Sequence, residues 1–109
     1  MQFVVKRNVL LKSLNFVQGV VEKKNTLPIL SNVLLLLKDN KLCIVATDLD
    51  IIFYDEIKDV KIINEGSTTT SAAILYDILR KISSNSELSF DLKSKNKLSL
   101  KSENSDFNL

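Results

Sequence analysis

Phe3 and Val5 fall on one side of the chain's opening residues and Gln2, Val4 and Lys6 on the other, a period of two that predicts a short first strand. The period then lengthens. From Asn8, read as a helix N-cap, Leu10, Leu11, Leu14, Val17 and Val21 recur at helical spacing, and Lys12, Asn15, Gly19 and Lys23 fall opposite them. This pattern predicts an amphipathic helix of about 14 residues with a polar, mildly basic outer face. Residues 23–26 and Pro28 end it and carry the chain across in a loop.

Residues 32–38 are almost continuously apolar, which predicts a strand buried on both faces. Asp39-Asn40 supplies turn chemistry, and residues 41–47 return as a second strand. A tight break at Thr47-Asp48 precedes a third strand over residues 49–55; residues 58–63 continue the sheet and Gly66 closes the segment. A similar order follows. Residues 67–70 have high β propensity, and Ser71 or Thr70 caps a helix whose apolar stripe is Leu75, Ile78, Leu79 and Ile82, with Asp77, Arg80 and Lys81 away from it. Beyond a break at residues 83–86, Leu88, Phe90 and Leu92 alternate, a polar turn spans residues 93–97, and Leu98 and Leu100 alternate again. Phe107 and Leu109 open one more strand.

The two halves therefore read strand–helix–strand–strand–strand twice, a repeat of elements and not of letters. Two helices packed on largely antiparallel sheet give an α+β domain. The apolar Phe107 and Leu109 leave a ragged strand edge, so the chain is expected to be the first part of something longer, cut at its last strand.

Composition narrows the chemistry. At 109 residues, 45% hydrophobic and 26% charged, the chain has material for one core and no more. No apolar run exceeds five residues, against the roughly 20 that a spanning helix needs, and no charged leader precedes a long apolar stretch. A cytoplasmic protein that does not engage membrane is expected. With no His and one Cys there is no Ser-His-Asp or Cys-His nucleophile, no histidine metal ligand and no intrachain disulfide. Cys43, inside an apolar alternation, reads as a packing residue. Two glycines leave no phosphate loop or dinucleotide fingerprint. Asp48 and Asp50 sit beside a turn without a cationic partner, where Asp48 reads as a turn cap. Neither catalysis, a cofactor nor a metal is expected.

The formal charge of +2 hides an uneven distribution. Residues 1–31 carry Lys6, Arg7, Lys12, Lys23 and Lys24 against Glu22 alone, whereas residues 39–65 carry seven carboxylates against Lys41, Lys58 and Lys61. Such a molecule can turn a basic face to a polyanion, although charges that merely solvate the surface give the same arithmetic.

Residues 26–32, Thr-Leu-Pro-Ile-Leu-Ser-Asn, preceded by Leu10-Leu11-Lys12 and by residues 20–24, resemble the start of the bacterial sliding clamp family, the beta subunit of DNA polymerase III. Ala46-Thr47-Asp48-Leu49-Asp50 resembles a second family marker, residues 66–69 leading into Asp77-Ile78 and Arg80 a third, and residues 105–109 the end of the family's first domain. The resemblance runs the length of the chain in order. It implies the DNA-clamp fold, a pseudo-two-fold domain with paired helices on one side and sheets on the other. It further implies that residues 1–109 are domain one of three, in a homodimeric ring closed head-to-tail around double-stranded DNA as a non-enzymatic processivity factor.

A ring that slides meets phosphates with mobile cations and reads no sequence. By resemblance, Lys24 matches a DNA-contacting position that carries Arg in familiar members, and Ala73 matches another basic position where the charge is absent. Lys12, Lys23, Arg80 and Lys81 join Lys24 as candidates because the helix pattern sets them off the core face. The resemblance also implies a joint to the second chain through Ile74, Ile78, Phe107 and Leu109, with Phe107 as its aromatic anchor or, alternatively, as intradomain core. Neighbouring positions, often basic in the family, are Asn104 and Asp106 here, with Glu103 beside them. The family's pocket for polymerase and clamp loader lies between domains two and three, outside these residues. The alternative reading is a stand-alone interaction module that pairs through its strand edge and Phe107.

Overall fold

The computed structural model describes residues 1–23, 32–47, 52–94, 97–103 and 105–109. Most of the two markers at residues 26–32 and 46–50 lies outside the described residues, as do parts of the turn expected at residues 93–97. In chain order the elements are β1 (Gln2–Lys6), α1 (Arg7–Lys23), β2 (Asn32–Lys38), β3 (Lys41–Thr47), β4 (Ile52–Ile57), β5 (Val60–Asn64), β6 (Gly66–Ser71), α2 (Ala72–Lys81), β7 (Glu87–Ser94), β8 (Lys97–Lys101) and β9 (Asp106–Asn108).

The strands form two antiparallel sheets, ordered β4-β3-β2-β6 and β5-β1-β7-β8-β9. Each half thus lends its first strand to the sheet of the other. β1 pairs with β7, setting Phe3 opposite Phe90, and β6 pairs with β2, setting Thr70 opposite Val33. Each lent strand runs without a loop into its helix, β1 into α1 and β6 into α2. Both helices consequently start at the seam between the sheets, where they pack on one another.

The core fills that seam. Leu10, Leu14 and Val17 of α1 and Ala72, Leu75 and Leu79 of α2 meet Phe3, Val5, Val33, Leu35, Leu37, Leu42, Ile44, Leu88 and Phe90, all essentially inaccessible. Phe3 and Phe90 stack with ring centroids 4.7 Å apart and planes 4° from parallel. Burial of each large side chain contributes about 1.5–3 kcal/mol, which holds together a chain that passes four times from one sheet to the other.

Several expectations need correction. Helix α1 has 17 residues and begins at Arg7, so Asn8 lies within it and is not its N-cap. Instead the Asn8 side-chain amide donates to Asn85 Oδ1 across the domain. β2 is not buried on both faces: Val33, Leu35 and Leu37 are inaccessible while Leu34 and Leu36 are half-covered, because helices pack on one face only. The third strand reaches further than expected, to Ile57, its described part being Ile52–Ile57. Residues 58–63 do not continue the sheet of β4; β5 crosses to the other sheet and pairs with β1. The first half therefore carries one strand more than the second.

Local chemistry explains the turns. Asp39 and Asn40 both take positive φ (55° and 62°), the conformation a two-residue hairpin between β2 and β3 requires. Gly66, at φ 153°, makes the hand-off from β5 to β6, and a Cβ built there would stand 2.9 Å from Met1 Cβ. On the outer face of the four-stranded sheet, Lys41 Nζ lies 3.0 Å from Glu56 Oε2. The Tyr54 hydroxyl is within hydrogen-bond distance of Glu56 Oε1 (3.0 Å) and Cys43 Sγ (3.3 Å). Hydrogen bonds from Lys41 and then Tyr54 hold the Glu56 carboxyl below its ordinary 4.5, and the same bond to Glu56 raises Lys41 above 10.5. The bonds to Cys43 and Glu56 push the Tyr54 phenol well above its ordinary range.

Two outcomes follow from this geometry. Gly66→Ala should cost about 1–3 kcal/mol in urea unfolding, because an L side chain is strained at that φ and meets Met1. Because its folded pKa is depressed, Glu56 contributes its full stability above 4.5 and loses it as pH falls through the lowered folded value. Lys41 behaves oppositely, its contribution complete below 10.5 and lost as pH rises through the raised value. Urea midpoints should therefore fall less in Glu56→Gln than in the unsubstituted chain between neutrality and about pH 3.

Candidate nucleic-acid and subunit interfaces

The two helices present their polar faces away from the core. On α1, Asn8, Lys12 and Asn15 are exposed; on α2, Ala73, Asp77, Arg80 and Lys81 are exposed. α2 is capped at its start by Ser71, whose Oγ accepts from the Ile74 amide at 3.3 Å. This is Ser71 of the two expected cap residues. At the other end, Arg80 and Lys81 occupy the last turn, where cations oppose the helix dipole.

Not every cation in this layer is available to a ligand. Arg7, one of the basic residues of the N-terminal stretch, donates Nε to the Leu79 carbonyl at 2.9 Å and Nη1 to Asn8 Oδ1 at 2.9 Å. Its guanidinium thus serves one carbonyl in the last turns of α2, and its own amide donates to Ser86 O at 2.8 Å. Sequence reasoning missed this role; a basic residue at a strand–helix junction carries no local signal of a carbonyl 72 residues away. The Arg80 guanidinium lies over the Tyr76 ring, 5.5 Å from its centroid, which holds it along one flank of α2. Lys12 and Lys81 project from outer faces. Lys23 is the last residue of α1, and Lys24 lies outside the described residues.

The second candidate surface is split between a helix and an edge strand. Ile74 is 56% exposed, a large apolar side chain in open solvent, while Ile78 on the same flank of α2 is half-buried against the core. β9 pairs with β8 and forms one edge of the five-stranded sheet. Phe107, opposite Leu100, and Leu109, whose amide donates to Leu98 O at 2.8 Å, are both half-buried. Phe107 thus packs against the core while staying partly accessible. Asp106 is exposed opposite Lys101, Glu103 is exposed, and Asn104 lies outside the described residues. Among the described residues no cluster of three potential metal ligands occurs, and no helix is long and apolar enough to cross a membrane.

Known proteins with these features are recognisable. The family model for the DNA polymerase III beta subunit, N-terminal domain, matches residues 1–109. The beta sliding clamp of Caulobacter vibrioides strain NA1000 is 43% identical over 89 residues, 82% of this chain and 24% of that protein. That of Rickettsia felis is 35% identical over 109 residues, all of this chain and 28% of that protein. The solved structure of Caulobacter crescentus pol III beta superposes with a TM-score of 0.89 at 39% identity, covering 100% of this chain and 29% of that one. The chain thus spans about a quarter of the length of the curated relatives it matches. Over the whole of its length it belongs to the family of DNA polymerase III beta subunit N-terminal domains.

Proposed function

We propose that this chain is the first of three domains of a DNA sliding clamp, a non-enzymatic processivity factor acting in the cytoplasm on double-stranded DNA without reading its sequence. The observation that carries the reading is the α1–α2 layer, two contacting helices whose exposed positions include Asn8, Lys12, Asn15, Asp77, Arg80 and Lys81, with the exposed Phe16 and Ile74 beside them. Such a face suits a polyanion met through water and flexible lysines, where bidentate arginine forks would hold the duplex in place. Lys12, Lys81 and Arg80 would supply its charge, together with Lys23 and Lys24. Ala73 takes one cation out of this face, so the domain's own share of DNA affinity is small and the full ring supplies the rest.

The same reading makes Ile74, Ile78, Phe107 and Leu109 the joint to the second chain of a head-to-tail homodimer. Polymerase and clamp loader would dock on parts of the protein beyond these residues. Names of the relatives, all beta sliding clamps, support this reading over a stand-alone interaction module.

Fluorescence anisotropy with a labelled duplex tests it. The 109-residue chain should bind with a Kd of about 10⁻⁴ M or weaker near physiological salt, with no preference among sequences and a log–log salt slope of about −2 to −3. Lys12→Ala/Arg80→Ala/Lys81→Ala should make the slope clearly shallower, leaving what Lys23 and Lys24 contribute. An unchanged slope, or a preference for one sequence, would remove the DNA-facing role from this helix layer. Binding to the clamp without affinity for duplex would move the chain to the interaction-module reading.

A further inference from the structure

The four-stranded sheet turns an apolar face outward. Its registers set Tyr54, Val45 and Leu34 in one row across β4, β3 and β2, and Glu56, Cys43 and Leu36 in the next. Tyr54 is 54% exposed and Ile52 beyond it 74%, while Leu34, Leu36 and Val45 are half-covered. Both helices pack on the opposite face. The outer face of the five-stranded sheet is of the ordinary kind: around Val4 it carries Gln2, Ser89, Asp91, Lys101 and Asp106. One sheet is thus dressed for water and the other is not. The apolar run of β2 predicts burial on both faces; the core covers Val33, Leu35 and Leu37, and Leu34 and Leu36 are the half left over.

What can cover that face is read from its symmetry. Across a line that crosses the strands between the two rows, Leu34 stands next to Leu36, Val45 to Cys43 and Tyr54 to Glu56. A two-fold axis along that line lays a second copy face down with its strands antiparallel to the first. Each Leu34 then meets the other copy's Leu36, and each Tyr54 hydroxyl meets the other copy's Glu56 carboxylate, an acceptor. Lys38 meets Asn32, and Lys41 keeps its own Glu56 at 3.0 Å. On β6 the exposed Thr69 and Ser67 hydroxyls face each other. Among the described residues of the face, no like charges meet. A two-fold along the strands between β2 and β3 would instead set Lys38 against Lys41.

We propose that the outer face of the four-stranded sheet pairs with the same face of a second copy about a two-fold axis across the strands, with Leu34 against Leu36 and Tyr54 against Glu56. The contact uses neither the helix layer nor β9 and is independent of the DNA-facing reading. Four strands of six or seven residues cover about 19 by 24 Å. That is roughly 450 Å² per copy, short of the roughly 800 Å² that each partner gives to a stable complex. The pairing is therefore weak and driven by concentration, with a Kd on the order of 10⁻⁴ M.

Sedimentation velocity on the 109-residue chain, from about 10 μM to about 1 mM, tests it. The unsubstituted chain should shift toward dimer as concentration rises. Leu34→Lys alone and Leu36→Glu alone should each weaken association about tenfold, since each sets a charge against a leucine. Their equimolar mixture should recover it as a one-to-one dimer. The axis places the new ammonium of one copy against the new carboxylate of the other and leaves one unsubstituted Leu34–Leu36 contact. A two-fold along the strands recovers nothing, because it sets Leu34 against Val45. Tyr54→Ala, at an exposed position, replaces either variant that does not melt cooperatively and should weaken association likewise. A chain monomeric at about 1 mM, or a mixture no more associated than its components, overturns the proposal. Association kept in Leu34→Lys but lost in Phe107→Asp also overturns it and assigns self-association to β9.

Discussion

The pairing of Phe3 with Phe90 is the constraint from which the remaining architecture follows. It commits the N-terminal strand to a sheet built by the second half of the chain, as β6 commits the second half to the sheet of the first. Because β1 and β6 lead directly into α1 and α2, fixing the strands fixes where both helices begin. Arg7 then ties the start of α1 to the end of α2 through the Leu79 carbonyl. A single helical layer on one side of the seam is the only arrangement in which both apolar stripes find the same core. Neither half could bury its hydrophobic face alone, so the domain stands or falls as one cooperative unit.

Element types were legible in the sequence because their signals are local. Period two in Phe3 and Val5, the apolar stripes of Leu10–Leu14–Val17 and Leu75–Leu79, and the Asp39-Asn40 turn each report on a few neighbours. Partnership was not legible. Nothing near residues 60–64 says that they pair with β1 and leave the sheet of β4, because that choice is made by residues some 58 positions away. The same limit hid Arg7: its bond to Leu79 O is decided by where α2 ends. Of the sites, the outward placement of Lys12, Arg80, Lys81 and Ile74 followed from helical angle alone, whereas the outer face that joins Leu34, Val45 and Tyr54 exists only once β2, β3 and β4 are in register.

Charge on the helix layer is used more sparingly than a residue count suggests. Arg7 is occupied by the Leu79 carbonyl and the Asn8 side chain, and Arg80 lies against an aromatic ring, so the two arginines of the chain both have contacts within the domain. Beside the exposed Arg80, Lys12 and Lys81 project from the outer faces of the described helices. A lysine ammonium is a hydrated point charge on a flexible stem, and it exchanges phosphate partners without the loss of a fixed fork geometry. Assigning arginine to structure and lysine to solvent suits a surface that attracts a polyanion without gripping it.

The internal repeat makes two edges and the side chains make them unequal. Where α2 carries Ile74 and Ile78, α1 carries Val9 and Ser13; β9 holds a half-buried Phe107, while beside β4 Phe16 stacks on Phe53. On the proposed reading, direction in the assembly is therefore encoded by the few positions at which the repeat is broken. Symmetric edges of this fold would allow isologous pairs that end after two copies, while unequal edges sustain a head-to-tail series that closes only when rotation brings the last edge to the first.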